Sequence, residues 1–248
     1  MQTANPDEYL KLALPFVGRH KAAARLEHFH AQQKHALVLG PAGVGKSSLV
    51  NWLKDKLGLL VSPQSERLAS ICESLETGLG LEVGGLKLPQ RKQRLLRALA
   101  GAKRTVVFDG IGWTTPKLSS FLEGVMERAP VWVCARSERS WDIGHFWTWL
   151  VRFERVELPP FHPAETRALV LATVEAGLIP REALTIVAWL HHRSNGSPLV
   201  LRELFAELAA RDYDLNSQTA LRRLNLDRRI HEVFPMGRAS GFRVKGGP

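Results

Sequence analysis

The chain has 248 residues, 45% of them apolar and 23% charged, and its 34 basic against 24 acidic side chains give a formal charge of +10. This composition excludes a disordered or collagen-like chain and supplies a full core for one α/β domain with a small appendage. Two cysteines, Cys72 and Cys134, exclude a disulfide scaffold, no apolar run reaches membrane-spanning length and no basic-apolar leader opens the chain, so a cytoplasmic location without membrane contact is expected.

In chain order, residues 7–14 predict a short amphipathic helix closed by Pro15, and 21–33 a helix carrying Ala23, Leu26 and Phe29. Residues 35–39, with Ala36, Leu37, Val38 and Leu39, read as a buried parallel strand. Next comes Gly40-Pro41-Ala42-Gly43-Val44-Gly45-Lys46-Ser47, a full match to G-x-x-x-x-G-K-[ST]. Glycines let backbone N–H groups approach phosphates closely, the lysine places a charge on the β- and γ-phosphates, and the hydroxyl suits Mg²⁺. Ser48 continues into a helix with apolar residues at 49, 50, 52, 53 and 57, whose N-terminus adds its positive dipole end.

Residues 57–61 predict a second strand, 65–75 a helix capped by Ser65, and 78–85 a glycine-rich loop. Strands are expected at 105–109, 131–135 and 155–158, with a helix at 116–128 between the first two. Three helical segments follow at 163–176, 180–193 and 198–211, then a basic tail ending in a glycine-rich arm at 237–248. Alternating strands and helices imply a parallel sheet with helices on both faces, followed by a small helical lid. The expected division is 1–161 for the core with its N-terminal segment, 162–211 for the lid and 212–248 for a basic extension.

Asp109 ends the apolar strand 105–109, where a carboxylate beside the phosphate loop would complete a Mg²⁺ shell with Ser47. Gly110 follows it, in a position where hydrolysing enzymes commonly carry a water-orienting glutamate, so either slow turnover or a water held by another group is expected. Positive charge is concentrated. Lys87, Arg91, Lys92, Arg94, Arg97, Lys103 and Arg104 fall in a stretch without acidic residues, and Arg222, Arg223, Arg228 and Arg229 form a second cluster. Arg91, Lys92, Arg94 and the four later arginines are candidate nucleic-acid contacts; the alternative is a solvated basic face. Aromatic residues between Trp141 and Trp149 read as core rather than a stacking platform, and His191-His192 lack the partners of a metal site.

Beyond the phosphate loop, several short runs resemble the AAA+ and STAND ATPases, including the Orc/Cdc6 branch. Phe16-Val17-Gly18-Arg19 is similar to the box that packs on adenine, and Gly196-Ser197-Pro198 to the lid motif near the base. Arg136 is similar to the STAND sensor of the γ-phosphate. Arg152-Phe153-Glu154-Arg155 looks like the run that carries an arginine into a neighbouring subunit's site; the other reading is two arginines framing a core phenylalanine. The resemblance spans about residues 16–208. It implies ATP or ADP binding by Val17, Gly18, Arg19, residues 40–48 and Pro198, Mg²⁺ on Ser47 and Asp109, and catalysis by Lys46, Asp109, Arg136 and Arg152. The activity it implies is ATP hydrolysis coupled to homo-oligomerisation and DNA engagement. A nucleotide switch that recruits protein partners is the alternative, and a small-molecule kinase is disfavoured by the long lid.

Overall fold

Parallel strands cannot be joined by tight turns, so a chain of buried apolar strands needs a helix in most of its crossovers. Residues 12–233 of the computed structural model, apart from 64, 66, 83, 84, 138 and 139, are described, with backbone alone for 140–143 and 231–233. The helix expected over 7–14 falls largely outside the described residues, as does the arm at 237–248. The chain divides into two units, Gly18–Pro160 and a second one containing residues up to Val17 and from Phe161 onward.

The first unit holds five parallel strands: β1 (Ala36–Gly40), β2 (Leu60–Ser62), β3 (Val106–Phe108), β4 (Val131–Arg136) and β5 (Glu154–Glu157). Their order is β2-β3-β4-β1-β5. Around them run α1 (His20–Ala31), α2 (Lys46–Leu57), α3 (Leu68–Gly78), α4 (Leu88–Ala102) and α5 (Pro116–Met126). This is the expected α/β core. Burial follows from the double covering: Val106, Val107 and Phe108 have no exposed surface, and Trp132 is equally hidden, edge-on to His30. The chain leaves β1 toward β2 on one side and returns to β5 on the other, which opens a crevice at the carboxyl end of β1.

Local chemistry explains the boundaries that differ from expectation. The strand expected at 57–61 begins at Leu60, because Leu57 still belongs to α2 and Gly58, at φ 64°, turns the chain out of the helix. The helix expected at 65–75 spans Leu68–Gly78; Ser65 does not cap it, since its buried hydroxyl donates to the Ser62 carbonyl at 3.0 Å. His35 is held neutral by burial and the nearby Arg152 charge, and its Nδ1 accepts from the Val131 N–H at 3.0 Å.

The second unit is helical: α6 (Pro163–Glu175), a 3-10 turn (Arg181–Ile186), α7 (Val187–Ser194), α8 (Pro198–Ala210) and α9 (Gln218–Val233). The segment expected as one helix over 180–193 is two pieces. The basic stretch after 212, read as a tail, contains a 16-residue helix whose Leu224 is fully buried against the core formed by Phe161, Leu190, Leu201 and Phe205. Polar closure accompanies it: Tyr213 Oη donates to Asp227 at 2.9 Å, Arg211 pairs with the same carboxylate at 2.8 Å, and burial pushes the Tyr213 phenol well up.

One glycine fastens the start of this unit. Gly196 lies at φ 69°, accepts from the Phe161 N–H at 2.8 Å, and a Cβ placed on it would stand 2.3 Å from the Phe161 carbonyl oxygen. Gly196→Ala is therefore expected to cost about 3 kcal/mol or more, lowering the melting temperature by about 6–12 °C. A thermal melt of the full chain checks this, and an unchanged melting temperature contradicts the packing described.

Candidate functional site

β1 delivers Gly40 to the crevice. A Cβ on Gly40 would lie 2.5 Å from the Leu158 carbonyl and 2.9 Å from Val44 Cγ1, so only glycine fits. Gly43 (φ 73°) and Gly45 (φ 97°) then take left-handed backbone and fold residues 40–47 into a loop ending at the first turn of α2. The first N–H groups of α2 have no partner within the helix and are available to an anion. Lys46 Nζ donates to the carbonyls of Gly40 at 2.6 Å and Pro41 at 2.9 Å, which ties the ammonium to the entry of the loop. Ser47 and Ser48 follow on the first turn and are exposed.

Asp109 follows β3. Its N–H donates to the Ser62 carbonyl at 2.9 Å and the residue is 9% exposed. β4 lies between β3 and β1, with Cys134 in register with Val38 and Arg136 in register with Gly40. Burial and the Asp109 carboxylate push the Cys134 thiol well above its usual range, so it stays protonated. Arg136 is exposed, and the next N–H, of Ser137, donates to the Gly40 carbonyl at 3.3 Å. Lys46 and Ser47 thus follow the loop after β1, Asp109 follows β3 and Arg136 ends β4, all on the carboxyl-end side of the parallel sheet. A carboxylate and a hydroxyl are hard oxygen donors of the kind Mg²⁺ takes beside phosphate oxygens, so the donor set fits that ion. Gly110 has φ 66°, a conformation that disfavours any side chain, which accounts for the missing glutamate.

The other expected site residues lie as follows. Val17 packs against the core of the helical unit. Arg19 is 6% exposed and its Nη2 donates to the Val44 carbonyl at 3.1 Å, which ties its side chain to the phosphate loop. Pro198 starts α8 in the helical unit. Arg152 closes a 3-10 stretch (Ser140–Arg152), with its guanidinium 4.9 Å from the Trp149 ring centroid. The neighbouring Phe153 is buried against Phe146 and His35, the packing of a core phenylalanine between arginines.

The basic clusters divide. Arg91 is corrected: its Nε donates to Glu76 Oε2 at 3.0 Å, Glu76 being 2% exposed, so the pair neutralises a buried carboxylate that sequence spacing did not reveal. Arg228 is corrected likewise, since it pairs with Glu203 at 2.7 Å and the arginine side chain is only 11% exposed. Lys92 lies 5.5 Å from the Phe121 ring and Arg94 donates to the Glu82 carbonyl. Lys87, Arg97, Lys103, Arg222, Arg223 and Arg229 remain exposed. Phe146 is core, as expected of the aromatic stretch, but Trp147 is 65% exposed and Trp113, near His145, 62%. His191 Nδ1 lies 2.9 Å from Thr166 Oγ1. No helix among the described residues is long and apolar enough to cross a membrane.

Neither a scan against protein-family models nor a search of curated proteins found a match. Solved structures are similar in fold. The Aeropyrum pernix Orc1 protein, solved in complex with DNA, superposes with a TM-score of 0.63 at 17% identity, covering 94% of this chain and 71% of that one. Cdc6p from Pyrobaculum aerophilum gives 0.60 at 15% identity, over 82% of this chain and 65% of that one. A STAND protein with a tetratricopeptide repeat sensor from Pyrococcus horikoshii gives 0.51 at 18% identity, over 85% of this chain but only 33% of its own. Strand order, loop geometry and these neighbours agree: the chain has the fold of the AAA+-type P-loop ATPases.

Proposed function

We propose that this protein binds ATP with Mg²⁺ at the crevice above β1 and hydrolyses it slowly, coupling the nucleotide to self-association and to DNA. The observation that carries the reading is the glycine-built loop after β1, closed by Lys46 and Ser47, with Asp109 following β3 on the same edge of the parallel sheet. Lys46 would hold the β- and γ-phosphates, Ser47 and Asp109 the metal, and Arg136 would read the γ-phosphate. The ion, when bound, supplies charge neutralisation on the phosphate oxygens. Slow turnover follows from Gly110, because no carboxylate stands next to Asp109 to orient water. Arg152 would complete a neighbouring copy's site, a role that requires assembly.

DNA engagement draws support from the +10 charge and from the exposed cations just before, on and just after α4 and on α9. The Orc1 neighbour was solved with DNA, which favours the same partner class here. Titration of duplex DNA at increasing salt, with and without ATP, tests this. Affinity should fall with a log–log slope of about −0.9 per phosphate contacted and should rise with ATP. Absent or salt-independent binding would leave the second reading, a nucleotide switch acting through protein partners, which Gly110 favours.

A further inference from the structure

Val44 stands between Gly43 and Gly45, both in left-handed backbone at φ 73° and 97°. A peptide flanked by two glycines has many accessible orientations, and most would turn the loop N–H groups away from an anion. The loop's own hold on this apex is slight: the Val44 N–H reaches the Pro41 carbonyl at 3.4 Å, long for a hydrogen bond. Two other contacts fix it. The Val44 side chain is 2% exposed, in the space a Cβ on Gly40 would need. The second contact comes from 25 residues earlier in the chain, where Arg19 Nη2 donates to the Val44 carbonyl at 3.1 Å.

Arg19 is well placed for this task. Gly18, at φ 80°, turns the chain immediately before it, and the Arg19 carbonyl accepts from the Ala23 N–H at 2.9 Å, which anchors its backbone to the first turn of α1. A guanidinium that is 6% exposed needs acceptors in fixed positions, and a loop carbonyl is one it can keep whether or not a ligand is bound.

We infer that Arg19 is a positioning residue for the phosphate loop, holding the Val44 carbonyl so that the loop N–H groups face the phosphates before the ligand arrives. The inference rests on the nucleotide reading of the loop, and it assigns Arg19 to the phosphates of the ligand rather than to its base. Ordering the apex in advance removes that cost from binding.

Arg19→Met keeps most of the buried stem and removes the donor; Arg19→Lys restores one. The affinities of ATP and of inorganic tripolyphosphate, which has no base, are measured by calorimetry on the full chain, together with amide exchange at residues 43–45 without ligand. R19M should weaken both ligands by about tenfold to a hundredfold and speed exchange at the apex, with R19K recovering part of each. A loss confined to ATP would mean a base contact and overturn the inference, as would unchanged affinity for both ligands. If R19M does not melt cooperatively, Arg19→Gln, whose short amide cannot span the same distance, is read by the same outcomes. Wild-type protein that binds neither ligand would instead remove the nucleotide reading itself.

Discussion

Lys46→Ala is expected to lower ATP affinity by about a hundredfold or more, the effect of losing charge-assisted hydrogen bonds to a polyphosphate. The ammonium has a double role. It is bonded to the carbonyls of Gly40 and Pro41 at the loop entry, and it is the charge the loop itself carries toward a polyphosphate. Removing it takes away the charge and also frees two carbonyls that would then face an anion. Lys46→Arg does not restore binding, because a planar fork cannot meet both carbonyls and the phosphates as a compact ammonium does. Calorimetric titration of ATP against both variants checks this, and an affinity within threefold of wild type would contradict the site.

Asp109→Asn separates the metal from the nucleotide. The substitution keeps shape and one acceptor oxygen but removes the charge, so Mg²⁺-dependent turnover should drop by about a hundredfold to a thousandfold. Nucleotide affinity measured in chelator should stay within about threefold, because the loop N–H groups and Lys46 are untouched. Folding stability should be unchanged or slightly higher, since Asp109 is a nearly buried carboxylate beside the Cys134 thiol. Parallel turnover, chelator-binding and melting measurements on D109N decide it. Equal loss of binding with and without Mg²⁺ would assign Asp109 to the loop's structure instead.

What the amino-acid sequence revealed was local chemistry. The phosphate loop is a run of eight residues whose glycines, lysine and hydroxyl act on one another across a few bonds, so its geometry is written in its spacing. The buried strands were legible for a similar reason: in a sheet covered on both faces every residue from Val106 to Phe108 must be apolar. What escaped were pairings between distant positions. Arg91 looked like a surface cation because Glu76, 15 residues earlier, sits on a different helix, and the ion pair exists only once α3 and α4 pack. The hydrogen bond from Arg19 to Val44 is hidden in the same way, because it depends on the turn at Gly18. The sequence reads α9 as a tail because its six charged residues match its six apolar ones in number, yet Leu224 is fully buried and Leu221 packs beside it on the helical core.

The proposed enzyme is an ATPase whose active site is completed by assembly and engaged by DNA. Steady-state ATP turnover across a wide range of protein concentrations, with and without duplex DNA, tests it most directly. Specific activity that is low alone and rises with both protein and DNA is the predicted result. Negligible turnover in every condition, alongside tight ATP binding, would contradict it and identify a nucleotide switch.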